Sequence, residues 1–256
     1  MARVPQPTRY PIVIGTAGWS IPRAAADAFP GEGSHLERYS RVLPGAEINS
    51  SFHRPHARSV YERWAGATPA DFRFSVKLPR TITHDGELRR ARAALVAFFD
   101  QVSGLGPKLG PILVQLPPSL AFNLRVACSF FPTLREFHEG PIVCEPRHPT
   151  WFDAAAHDLL VRHRVARVAT DPSPISAALV PGGDRSIAYY RLHGSPRKYW
   201  SRYTADRIHQ WTQDLQACAS KGEAWCIFDN TASGAAAVNA LEMSSTVRQP
   251  QRGGRE

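Results

Sequence analysis

No stretch of this 256-residue chain approaches the 18 or more consecutive apolar residues that a membrane-crossing helix requires, so no such span is expected. The opening MARVPQPTRYP is broken by proline and holds no apolar centre, which argues against a secretory signal. The four cysteines, Cys128, Cys144, Cys218 and Cys226, form no CxxC pair. That speaks against a disulfide frame or a zinc knuckle and for buried, reduced thiols in the cytoplasm. Lysine is scarce too: Lys77, Lys108, Lys198 and Lys221 stand among 31 basic residues, and arginine carries most of the net charge of +9. Such an excess suits a nucleic-acid binder. Its densest cluster, however, is ELRRARAALVAFF, whose helical spacing turns Leu95, Phe98 and Phe99 inward and the arginines outward. A solvated helix face explains that cluster more economically than a stripe for DNA. More of the excess lies in the tail TVRQPQRGGRE, which reads as disordered.

What is present is a core. Hydrophobic residues make up 43% of the chain and aromatics 10%, enough for one large domain. Short apolar runs recur at 11–16, 46–50, 72–77, 111–116, 141–145, 166–170, 187–192 and 224–229. Segments of helical periodicity separate most of them, among them SVYERWAG, LRRARAALVAFFDQV, AAAHDLLVRH, TADRIHQWTQDLQACAS and ASGAAAVNALEM. This βα alternation predicts an α/β fold, a single (β/α)₈ TIM-type barrel, with a doubly wound open sheet as the alternative. Unit six is irregular, because DPSPISAALVPGGD is too short and proline-rich for a full helix. The expected layout is an N-terminal extension over 1–10, the barrel over 11–243 and a disordered tail over 244–256.

In such a barrel, chemistry belongs at the strand C-termini. There the chain places Trp19, then Glu47, Asn49 and Ser51 at alternate positions, Lys77, Gln115, Asp171, the pair Arg191 and His193, and Asp229 with Asn230. IVCEPRHPTW ends a strand with Glu145, Arg147 and His148. Polar groups at one end of every strand are hard to ascribe to chance exposure.

The chain resembles the YecE-like family, catalogued as a domain of unknown function. The resemblance runs from about Ile12 to about Met243 and is carried by GTAGW, EINSSFHRP, FSVKLPRTITH, VQLPPSL, CEPRHPTW, YRLHGSPRKYWSRYTAD and FDNTASGAAAVNA. It implies a TIM-type barrel and no particular reaction. Asp229 departs from the pattern, since relatives often carry Asn there.

Two readings of the strand ends remain open. In the first, Glu145, Asp171, His193 and Asp229 hold a divalent metal, by analogy with the layout of sugar-isomerase barrels. Two carboxylates about 4 Å apart repel by roughly 4 kcal/mol at an effective dielectric of 20, so such a cluster needs a cation. In the second, Arg147, Arg191 and Lys77 supply that charge without a metal, and Glu47 and Glu145 form an acid/base pair tuned by Lys77. Glu47, Lys77, Glu145 and His193 are then the catalytic candidates. Trp19, Asn49, Gln115, Arg147, His148, Asp171, Arg191, Arg197, Tyr199, Tyr203, Asp229 and Asn230 are the substrate-binding ones. The cations and aromatics of HGSPRKYWSRY, facing a helix start at Asn230–Gly234, predict a bound phosphate or carboxylate between them. The expected function is acid/base chemistry on a small anionic, carbohydrate-like or phosphorylated molecule, by an isomerase or hydrolase. A non-catalytic nucleic-acid or nucleotide binder is the alternative, and no membrane partner is expected.

Overall fold

A computed structural model describes residues 10–248, so residues 1–9 of the expected extension and 249–256 of the expected tail lie outside the described residues. Its strands are β1 (Ile12–Ala17), β2 (Gly45–Ile48), β3 (Arg73–Lys77), β4 (Leu109–Gln115), β5 (Ile142–Glu145), β6 (Val165–Arg167), β7 (Ala169–Asp171), β8 (Gly182–Gly183), β9 (Ile187–Leu192) and β10 (Glu223–Phe228). They form one 10-stranded sheet in the order β7-β9-β10-β1-β2-β3-β4-β5-β6-β8. β6 and β7 are two halves of one barrel strand, interrupted at Val168. The first half pairs with β5 and the second with β9, both in parallel, and this closes the ring. β8 adds an antiparallel pair outside that ring, on β6. The expected barrel is therefore present, with a split sixth strand that raises the strand count above eight. No full helix follows that strand; a single 3₁₀ turn at Ser176–Leu179 does.

The α-helices are α1 (His35–Ser40), α2 (Ser50–His53), α3 (Arg58–Gly66), α4 (Arg92–Val102), α5 (Leu124–Phe137), α6 (Ala154–Arg162), α7 (Ala205–Ala219) and α8 (Ala235–Arg248). Side-chain caps start several of them: Ser34 with Glu37 forms a capping box on α1, Asn123 caps α5 and Thr204 caps α7. α5 buries Ala127, Phe130, Phe131 and Leu134 on one face and carries Pro132 inside it. Three expectations change. α4 begins at Arg92 rather than Leu88, because Glu87, Leu88 and Arg90 have φ of 48°, 66° and 49° and cannot continue a right-handed helix. α8 runs to Arg248, so residues 244–248, expected in a disordered tail, are helical. Of the cysteines expected buried, Cys128 is exposed on α5 and Cys218 only partly covered. Among the described residues no helix is long and apolar enough to cross a membrane.

Inside the ring, Val13, Leu113, Val143, Trp225 and Ile227 form an apolar plug separate from the larger core between strands and helices. Trp225 fits because its neighbours are glycines. A Cβ at Gly110 would sit 3.1 Å from the indole, and one at Gly45 would meet the Val13 side chain at 2.5 Å. This plug is the floor on which the site stands.

Candidate active site

Period-two alternation along the strands carries the inward face from apolar to charged within one step. On β9 the inward positions are Tyr189 and Arg191, followed by His193; on β10 they are Trp225 and Ile227, followed by Asp229. β5 contributes Val143 and then Glu145, and β2 contributes Glu47. These ends meet at Arg191, which is 1% exposed. Its Nη2 donates to Glu47 Oε1 at 2.7 Å and to Asp229 Oδ2 at 2.9 Å, and its Nη1 donates to Glu145 Oε2 at 2.6 Å. Arg147 holds the other Glu145 oxygen through Nε at 2.9 Å. His193 Nδ1 lies 3.0 Å from Asp229 Oδ2, while its Nε2, 3.5 Å from Glu145 Oε1, makes no hydrogen bond. Tyr189 donates to Glu47 Oε2 at 2.8 Å and stacks on Trp225, joining plug to cluster.

Glu145, Asp229 and Arg191 are held in their charged forms. Burial opposes the charge on Glu145, but Arg191 and then Arg147 outweigh it and keep the carboxyl well below the usual range. Asp229 is lowered in the same way, burial being overcome by Arg191 and the His193 hydrogen bond. Arg191 is raised well above its ordinary value because three carboxylates outweigh its burial. Lys77 behaves oppositely. Burial, reinforced by Arg191, brings it down to about 8, against partial compensation by Glu145, Glu47 and Asp229. An acid locked to two arginines cannot donate a proton near neutral pH. A lysine near 8 can exchange one.

Above the cluster opens a cavity of about 410 Å³, lined by Asn49, Phe52, Lys77, Arg80, His84, Gln115, Arg147, Tyr199 and Asp229, with His53, Pro117 and Pro118. Lys77 Nζ rests 3.9 Å from the Phe52 ring centroid. Asn49 Oδ1 has no hydrogen-bond partner among the described residues. Six of the expected site residues thus share one cavity: Asn49, Lys77, Gln115, Arg147, Tyr199 and Asp229. Glu47, Glu145, Arg191 and His193 lie buried beside them.

The other expected residues are elsewhere. β2 stops at Ile48 and Asn49 is already helical in its backbone angles (φ −94°, ψ −19°), so Glu47, Asn49 and Ser51 do not share a strand face. Ser51 instead ties two loops together through the Ile48 and Lys77 carbonyls. Asp171 stands outside the carboxylate cluster, accepting from the Tyr203 hydroxyl at 2.7 Å, while Tyr203 accepts from the Gly194 N–H. Both brace loops. Trp19 packs edge-on against Trp64 and Phe74, and the buried Trp151 donates its N–H to the Leu120 carbonyl. His148 caps the 3₁₀ turn Pro149–Phe152. Arg197 is exposed over the Trp200 ring, and Asn230 is buried, donating to the Ser201 carbonyl. Where an anion was expected between that loop and the start of α8, Ala232 N–H reaches the Tyr199 carbonyl and Ser233 Oγ the Trp200 carbonyl, so these two donors are already engaged. The metal reading does not fit either. Asp171 is absent from the cluster, the Arg191 guanidinium holds the point where the other donors converge, and no ligand group is formed among the described residues.

Phe52, Arg80 and Tyr189 were not singled out from the sequence. Tyr189 was within reach of the alternation, two residues before Arg191 on the same inward face. Phe52 was not, because the helical turn that aims it over Lys77 follows a strand end that alternation does not locate.

The geometry agrees with what the chain is similar to. The family model described as a protein of unknown function, DUF72, matches residues 13–255. The UPF0759 protein YecE of Escherichia coli K12 is 31% identical over 174 residues, covering 65% of this chain and 61% of that protein. The UPF0759 protein YunF of Bacillus subtilis 168 is 22% identical over 262 residues, covering 91% and 93%. Crystal structures of DUF72 family proteins from Enterococcus faecalis and Thermotoga maritima superpose with TM-scores of 0.78 and 0.77 at 20% and 22% identity. They cover 93% of this chain, and 96% and 99% of those. At that identity they speak for the fold alone. With a match over nearly its whole length, the chain belongs to the DUF72 family, the one that contains the YecE-like proteins.

Proposed function

We propose that the protein is a cytoplasmic enzyme that binds a small anionic molecule, carbohydrate-like or phosphorylated, at the barrel mouth. It moves a proton to or from that molecule through Lys77, as an isomerase or hydrolase does. The observation that carries this reading is the cavity wall: Lys77, Arg80 and Arg147 face one space, and the sole carboxylate there, Asp229, is already held by Arg191. Arg80 Nε is paired with Asp85 and Arg147 with Glu145, so among the described residues Lys77 is the cation of this concave wall without a carboxylate partner, and the remaining guanidinium N–H groups are open to an anion. Arg147 spends Nε and Nη2 on Glu145 and keeps Nη1 for an anion. Asn49 and Gln115 offer polar contacts to hydroxyls. Glu47, Glu145, Asp229 and Arg191 hold one another in place beside the cavity, so that binding requires little reorganisation.

Titration calorimetry with inorganic phosphate at low salt tests this. Arg147→Ala should lower the affinity about tenfold, or about 1.4 kcal/mol, with the melting curve still cooperative. Equal affinity in the two proteins would remove the anion from the mouth. If a single-stranded oligonucleotide binds far more tightly than phosphate, with a steep salt dependence, the nucleic-acid alternative replaces the enzyme.

A further inference from the structure

The molecule's four lysines have very different surroundings. Lys108 Nζ is consumed by the Ala65 and Thr68 carbonyls at 2.5 and 2.6 Å. Lys221 is exposed, and Lys198 is half-buried over the Tyr199 ring. Lys77 is 8% exposed at the end of β3, faces the mouth cavity, and among the described residues has no carboxylate within ion-pair distance. The reason lies in its neighbours. All three nearby carboxylates are taken by Arg191, and one of them also by Arg147. Arginine cannot give up its proton or yield its place, so the amine is left without a counter-ion in a site rich in acids.

We infer that Lys77 is a nucleophile that forms an imine with an aldehyde or ketone of an anionic substrate. This rests on the reading of the mouth as an anion site. The neutral Nζ lone pair attacks the carbonyl carbon, a C–N bond forms, and the carbonyl oxygen takes up a proton to give a carbinolamine. The C–O bond then breaks and water leaves carrying both amine hydrogens, giving C=N; hydrolysis reverses the sequence. Once protonated, the imine draws electrons from the neighbouring carbon and eases proton loss there, the chemistry an isomerase of hydroxycarbonyl compounds needs. Three further observations support it. Burial and Arg191 bring the amine to about 8, where an appreciable fraction is neutral at physiological pH. Arg80 and Arg147 on the same wall can hold the substrate's anionic group away from the reacting carbon through the guanidinium nitrogens that Asp85 and Glu145 leave free. His84 also lines the cavity. Its Nδ1 is engaged with the Thr83 hydroxyl at 2.9 Å and its Nε2 makes no hydrogen bond among the described residues, so the ring can carry protons between water and the carbinolamine.

The test is reductive trapping. Pyridoxal 5′-phosphate, an aldehyde bearing a phosphate, is added to the full chain and reduced with borohydride, and the modified peptide is found by mass spectrometry. The scarcity of lysine makes the map unambiguous. The adduct is expected on Lys77, formed about a hundredfold faster than on a lysine of an unstructured peptide, because the neutral fraction changes tenfold per pKa unit. Its rate should rise through pH 8, and Lys77→Arg, folded by its melting curve, should lose it. Labelling spread over Lys198 and Lys221 with Lys77 unmodified overturns the imine. If phosphate binds by calorimetry while Lys77 stays unlabelled, the imine falls and the anion site stands. If Lys77 is labelled and inorganic phosphate gives no protection, the imine stands and the anion site falls.

Discussion

The lower and upper halves of the barrel interior are built on the same strands, about two residues or 6–7 Å apart, and they differ in nearly everything. Below, Val13, Leu113, Val143 and Trp225 pack an apolar plug, whose Trp225 meets polar groups only at its N–H, on the Glu223 carboxylate, and at the stacked ring of Tyr189 among the described residues. Above, Glu47, Glu145, Arg191 and His193 are equally buried and all polar. The floor stabilises by burying apolar surface. The mouth balances three carboxylates on one guanidinium, an arrangement whose desolvation cost offsets most of its attraction. A fold therefore has little to gain from the mouth and much from the floor, which is why the mouth reads as function. Tyr189, stacked on Trp225 and bonded to Glu47, is the seam between them.

The largest effects should come from removing the centre of each half. Trp225→Ala should cost about 3–5 kcal/mol through the cavity it leaves. That loss should be the same at pH 5 and pH 7, with phosphate affinity unchanged. Arg191→Leu should cost a similar amount at pH 7, about 3–5 kcal/mol, because Glu47, Glu145 and Asp229 lose their shared partner. Here the loss should shrink on acidification, since the freed carboxylates take up protons. Denaturant titrations at both pH values decide, and an Arg191→Leu loss that does not vary with pH would erase the contrast.

A smaller effect of opposite sign is expected at Lys77. Below pH 8 both folded and unfolded chains carry the proton, and the folded one bears the full cost of the buried ammonium. Between about 8 and 10.5 only the unfolded chain keeps the proton, so stability contributed at this residue rises with pH across that window. Lys77→Met should then stabilise the protein at pH 7 by up to about 3 kcal/mol, less the lost contact with Phe52, and the gain should vanish near pH 10.5. A variant less stable than the parent at pH 7 would mean that the lysine supports the fold instead of straining it. The smallest change should be outside the barrel, at the exposed pair of Arg92 and Glu136. Arg92→Ala should shift stability by no more than about 0.5 kcal/mol, and a larger loss would show that surface charge carries weight denied to it here.

Much of this was legible along the chain, because strand and helix periodicity are local properties. The alternation placed every barrel strand to within a few residues and put Glu145, Arg191, Lys77 and Asp229 at one end of them. Local pattern could not find the end of β2 at Ile48, where a backbone turn sends Asn49 off the strand face. Nor could it tell a braced residue from a free one. Asp171 and Glu145 look alike in sequence, each an acid at a strand end. Tertiary structure gives one to Tyr203 and the other to two arginines. The identities of the ionisable groups were set by the sequence, and their charge states by packing, because a pKa depends on distance to partners and on exclusion of water. Lys77 shows that division most plainly. The sequence supplied the amine at the strand end, and only the closed barrel could surround it with acids already taken by arginine.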